Sequence, residues 1–127
     1  MQVRERVTVS TIDGARRMEV VATFNIGAKS TFINEEMAKE LGFRLYPKPI
    51  EVPLAIKGKT GEMVGESTLA FTIAECEIPF GYTVRVVKEL AEDVIIGSSF
   101  MEEFGVELDF EEGKARLEAT PPEIRLV

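Results

Sequence analysis

From its N-terminus the chain first alternates. Val3, Val7 and Val9 are set among Arg4, Glu5, Arg6 and Thr8, the period of a half-buried strand, which predicts a strand over Val3–Thr11. Asp13-Gly14 is a two-residue hairpin signal, and Arg17–Phe24 returns as its second strand. That strand becomes apolar toward its end through Val20, Val21, Ala22 and Phe24, so it is expected to run into the core. A polar, glycine-containing break follows at 25–30, and Thr31-Phe32-Ile33 extends again. Asn34 is placed to cap a short helix over Glu35–Leu41, whose early acidic residues suit the positive end of the helix dipole. Gly42 suits a left-handed stop.

Beyond the helix, Pro47 and Pro49 punctuate a connection, and Ile50–Ile56 reads as a strand that Pro53 assigns to an edge. Lys57–Gly61 is a polar glycine turn leading into Glu62–Ala74, which makes a long hairpin with its tip at Gly58–Gly61. Glu77–Val87 is expected as a further strand, and Asp93–Ile96 as a short buried one ending at Gly97. Ser98 or Ser99 is expected to cap a brief helix through Phe104, stopped by Gly105. Val106–Phe110 and Ala115–Leu117 form a last hairpin, and Pro121-Pro122 keep the start of the tail non-helical. With no linker, repeat or low-complexity segment, residues 1–127 are expected to form one mainly-β domain with two short helices.

Composition narrows the function more by exclusion than by suggestion. A polypeptide of 127 residues with 45% apolar and 29% charged residues has ordinary globular content. No apolar run approaches the roughly 20 residues of a membrane span, and MQVRERVTV lacks a signal-peptide block, so a cytoplasmic setting is the expectation. A net charge of -7, without a basic patch, argues against nucleic acid. The absence of His removes a Ser-His-Asp triad, a Cys-His pair and a His-based zinc site, and no metal or cofactor is expected. Cys76 alone forms no internal disulfide and is read as a strand or turn residue. Glu outnumbers Asp 19 to 3, and Asn occurs only at 25 and 34, a bias similar to that of heat-tolerant proteins.

One stretch, Val20–Gly42, combines a buried strand, a tight loop and a helix, a way of presenting one residue at a fixed point. The presented residue is Asn25. Val20–Phe43 resembles the first signature of the retropepsin-like (retroviral-type) aspartic proteases: an apolar strand, Asp-Thr-Gly-Ala, an extended apolar segment and a helix ending in Leu-Gly. Asp93–Leu117 resembles the second, in which two apolar residues and a Gly precede a helix and a hairpin. The resemblance covers about residues 15 to 117. It implies a single-lobe, closed β-barrel of the acid protease fold with one or two short helices, half of a site completed by a second copy. It further implies a flap at Gly58, Lys59, Thr60 and Gly61, an active-site loop at Ile26, Gly27 and Ala28, and a cleft wall at Phe24, Ile96 and Gly97. The two terminal segments, Val3–Val7 and Glu123–Val127, either form a sheet between subunits, covering exposed edges, or fray.

The resemblance fails at its chemical centre. The family's reaction needs one Asp from each copy, the two sharing a proton so that one accepts a proton from water. Here that position is Asn25, a neutral amide without useful basicity, and the next, Thr or Ser in the family, is Ile26. Asp13, Asp93 and Asp109 lie elsewhere in the pattern and offer no replacement. Two readings stay open: a homodimer that has lost peptidase chemistry and binds an extended peptide or serves assembly, and an aspartic endopeptidase whose active form carries Asp at position 25. A purely structural dimer is a third. Gly27-Ala28-Lys29-Ser30-Thr31 is not a phosphate loop, because Ala28 precedes Lys29 and an extended segment follows. The Glu-rich 102–112 region reads as a solvated face.

Overall fold

The structure is a computed structural model and describes residues 2–53 and 60–117. Among the described residues, ten strands and two helices follow in the order β1 (Val3–Ser10), β2 (Arg17–Phe24), β3 (Phe32–Asn34), α1 (Glu35–Leu41), β4 (Arg44–Pro53), β5 (Thr60–Ile73), β6 (Cys76–Glu77), β7 (Tyr82–Lys88), β8 (Val94–Ile96), α2 (Ser98–Phe104), β9 (Val106–Asp109) and β10 (Lys114–Leu117). Eight strands share one sheet in the order β1-β2-β8-β3-β7-β5-β4, with β6 on β5. A further pairing of β1 with β5, Thr8 opposite Thr72 through Ser10 opposite Ala70, returns the path to its start, so six strands close on themselves. The fold is mainly β with two short helices, as expected.

Alternation in β1 places Val3, Val7 and Val9 inside, and the apolar end of β2 places Val20, Ala22 and Phe24 there. Ile33, Val84, Val86, Val94 and Ile96 complete the interior of the central strands. Helix α2 closes one end of it. Its Phe100 ring lies 4.9 Å from both Phe71 and Tyr82 and 4.8 Å from Phe104, all edge-to-face. Helix α1 is capped as predicted: Asn34 Oδ1 accepts from Glu36 N at 2.7 Å, while Asn34 Nδ2 donates to Leu90 O at 2.5 Å.

Several local expectations are corrected. The β1–β2 connection is a six-residue loop, 11–16, in which Asp13 accepts from the Thr11 hydroxyl at 2.6 Å and from Ala15 N at 3.0 Å. These bonds satisfy the wider loop, and Gly14 takes its positive φ of 73° within it. Gly42 has φ 89° but an extended ψ of 141°, so it leaves the helix without a left-handed helical turn. Pro47 and Pro49 lie inside β4 rather than ending it. The ladder passes from Leu45–Gly65 to Ile50–Met63, so 46–49 bulge opposite Val64, where two missing N–H groups cost nothing. The stretch 77–87 is two strands, β6 and β7, parted by a segment containing Pro79 and Gly81. Ile56 and the terminal segment Glu123–Val127 lie outside the described residues.

Candidate functional site

Strands β2 and β8 run parallel, Ala22 beside Val94 through Phe24 beside Ile96, and both end at one place. The ladder gains one more rung there, as Asn25 N donates to Ile96 O at 2.9 Å. The backbone then crosses the end of β8 and returns along its other edge as β3, antiparallel, with Phe32 opposite Ile95. The loop at 25–31 therefore arches over Gly97. Because the arch is this close, only glycine fits beneath it. A Cβ on Gly97 would collide with Ser30 O and come within 2.6 Å of Lys29 O and 2.7 Å of Ala28 O, all rigid backbone.

The arch is bonded down along its length. Ser98 N donates to Ala28 O at 2.7 Å and Ser99 N to Lys29 O at 3.1 Å. Gly97 N donates to the buried Thr31 hydroxyl at 3.1 Å. Neither serine hydroxyl caps α2, contrary to the sequence expectation. The N-cap is Gly97, which has no hydroxyl to offer, and the serines direct their first-turn N–H groups to the loop. Sequence reasoning missed Thr31; its one signal was a hydroxyl residue opening the apolar Thr31-Phe32-Ile33 segment.

Asn25 sits half-buried at the start of the arch, and its amide is held as well. Gly27 N donates to Asn25 Oδ1 at 2.9 Å, and Ala28 N donates to Asn25 O at 3.1 Å, a compact Asx-turn. Ile26, at the crest, is 59% exposed. Beside it lies a groove of about 510 Å³ whose walls include Ser98, Met101, Val106, Leu108 and Phe110.

The sequence-predicted residues are only partly brought together. Asn25, Ile26, Gly27 and Ala28 form one loop, with Gly97 beneath it. The rings and branches of Phe24 and Ile96, expected on a cleft wall, are fully buried in the core, because both occupy inward positions of their strands. The backbone rung from Asn25 N to Ile96 O ties the ends of their strands to the loop. Gly58 and Lys59 lie outside the described residues, while Thr60 and Gly61 open β5 opposite Pro53 and Val52.

The three Asp carboxylates are each committed elsewhere. Asp13 serves the β1–β2 loop, Asp93 accepts from Val21 N at 3.0 Å, and Asp109 accepts from Glu112 N at 3.0 Å and pairs with Arg116. Glu92 accepts from the buried Thr23 hydroxyl at 2.9 Å and pairs with Arg4 at 3.1 Å, which ties the start of β8 to β1 and β2. Among the described residues no group of three or more Asp, Glu, Cys or His could hold a metal ion. Nor is any helix there long and apolar enough to cross a membrane.

An end-of-strand loop arched over a second strand's glycine, inside this strand order, defines a class of fold. No family model matches the sequence, and no curated protein matches it. Solved structures do. The retroviral protease-like domain of Ddi1 from Leishmania major superposes with a TM-score of 0.65 at 16% identity, covering 94% of this chain and 91% of that one. A retropepsin-like aspartic protease from Rickettsia conorii gives 0.56 at 19% identity, over 87% and 84%. The EIAV protease, in complex with the inhibitor HBY-793, gives 0.57 at 13% identity, over 86% and 93%. The protein therefore has the retropepsin-like fold that its two sequence stretches resemble.

Proposed function

We propose that this protein pairs with a second copy to form a cleft that holds an extended peptide without cutting it. The observation carrying this reading is the state of Asn25: an amide stands at the head of the arch, with its oxygen engaged by Gly27 N. A general base must accept a proton from water, and a carboxamide does not do so near neutral pH. Pairing is supported by the exposed Ile26 at the crest and by the groove beside it, where Met101, Val106, Leu108 and Phe110 stand with Ser98 and Glu102, surfaces that a second copy would cover. The peptide would lie along strand edges and be held by main-chain hydrogen bonds, with the β4–β5 hairpin over it.

A second reading, an aspartic peptidase with Asp at position 25, draws support from the same bond. Gly27 N would donate equally well to a carboxylate, and Asp is nearly isosteric with Asn. A digest of an unfolded protein between about pH 3 and 7 separates the two. The Asn25 protein is expected to leave the substrate intact, and Asn25→Asp is expected to gain acid-range cleavage. Cleavage by the Asn25 protein, blocked by an aspartic-protease transition-state mimic, would overturn the first reading. Sedimentation at micromolar concentration tests the pairing: a monomer alone would remove the shared cleft.

A further inference from the structure

We propose that the two Asn25 carboxamides of the paired cleft form an uncharged seat of N–H donors for a carboxylate, the free C-terminus of a peptide. This rests on the paired reading above and names the ligand group that such a site would take. Every other polar group of Asn25 already has a partner. Its backbone N–H goes to Ile96 O, its backbone carbonyl receives Ala28 N, and its Oδ1 receives Gly27 N. The last of these bonds fixes which way the amide lies, with Oδ1 turned into the loop. Only Nδ2 is left, and no buried side-chain nitrogen among the described residues lacks a partner, so that nitrogen is open to solvent.

An acid in the same seat does the reverse. Ionised, it offers only acceptors, and a pair of acids sharing one proton repels an anion. A pair of amides offers about four N–H donors and no charge, which matches the roughly four lone-pair sites of one carboxylate. Hydrogen bonds to a charged acceptor are about twice as strong as those to a peptide carbonyl, so a peptide's end is favoured over its interior. The loop itself adds no carboxylate, its only charged residue being Lys29, although Glu102 lines the groove beside Ile26 and opposes an anion there. The diffuse field of the protein's net charge of -7 opposes an anion, but it is screened over about 8 Å at physiological salt, whereas contact hydrogen bonds are not.

The test is a competition at neutral pH between two pools of short, randomised, N-acetylated peptides, identical except that one ends in a free carboxylate and the other in a carboxamide. Retention by the 127-residue protein is read by mass spectrometry. The free-acid pool is expected to be enriched about tenfold, and Asn25→Asp, which keeps the acceptor for Gly27 N, is expected to lose that preference. The Asn25 side-chain amide resonances should shift with the free-acid pool and stay in place with the amidated one. Equal retention of both pools would overturn the carboxylate seat while leaving the peptide cleft standing. Retention of neither would overturn the cleft itself and the seat with it.

Discussion

At the scale of single residues, the site depends on a buried hydroxyl more than on any group at the surface. Thr31 is 1% exposed, and its oxygen is the acceptor for Gly97 N, beneath the arch where water does not reach. Thr31→Val keeps the shape and removes the acceptor, leaving a buried N–H unpaired. The expected loss is about 1–3 kcal/mol in chemical denaturation, whereas Thr31→Ser should lose much less because it keeps the oxygen. Equal losses for Val and Ser would mean that packing of the methyl group, not the hydrogen bond, fixes this position. The same dependence on tertiary placement explains why Thr31 was not legible in the sequence. Asn25 stood out against a family pattern, while Thr31 looks like any β-branched residue opening a strand, and its role exists only because the backbone returns along β8.

At the scale of elements, what the sequence made plain was whatever its local chemistry determined. Asn34 with Glu35 and Glu36 specified α1 to the residue, and the continuous apolar run at 94–96 specified a short buried strand. The elements that differed were those decided by partners. Pro47 and Pro49 read as breaks, yet an edge strand with a bulge accommodates both. The turn between β5 and β6 gave no signal, because Ala74 and Glu75 are not turn residues, yet both have positive φ, 51° and 64°, in a two-residue hairpin. Such a conformation costs a residue with a Cβ about 1 kcal/mol or more, and Gly is free of that cost. Glu75→Gly is therefore expected to stabilise the protein by about 1 kcal/mol, read as a higher denaturation midpoint at unchanged slope. A lower midpoint would show that the Glu75 carboxylate holds something that the backbone strain conceals.

For the whole molecule, the acid response bears directly on how the peptidase test is read. Hydrogen bonds from the Thr11 hydroxyl and Ala15 N lower the Asp13 pKa below its ordinary 3.8, and Glu112 N, with Arg116 beside it, does the same for Asp109. A carboxylate whose folded pKa is depressed favours the folded state above its unfolded value, and that contribution disappears as pH falls through the folded value. Both groups therefore withdraw support below about pH 3.8, at the lower end of the range in which a carboxylate dyad would work. Asp13→Asn is expected to be less stable than the parent at neutral pH and to converge with it as the pH drops below 3.8, followed by thermal unfolding across the pH series. Curves that stay parallel to the lowest pH would show that Asp13 does not contribute to the acid limb. If they converge, the fold has less support at the acid extreme, and cleavage by Asn25→Asp in the less acid part of the range, with circular dichroism unchanged, is what speaks to the chemistry at position 25.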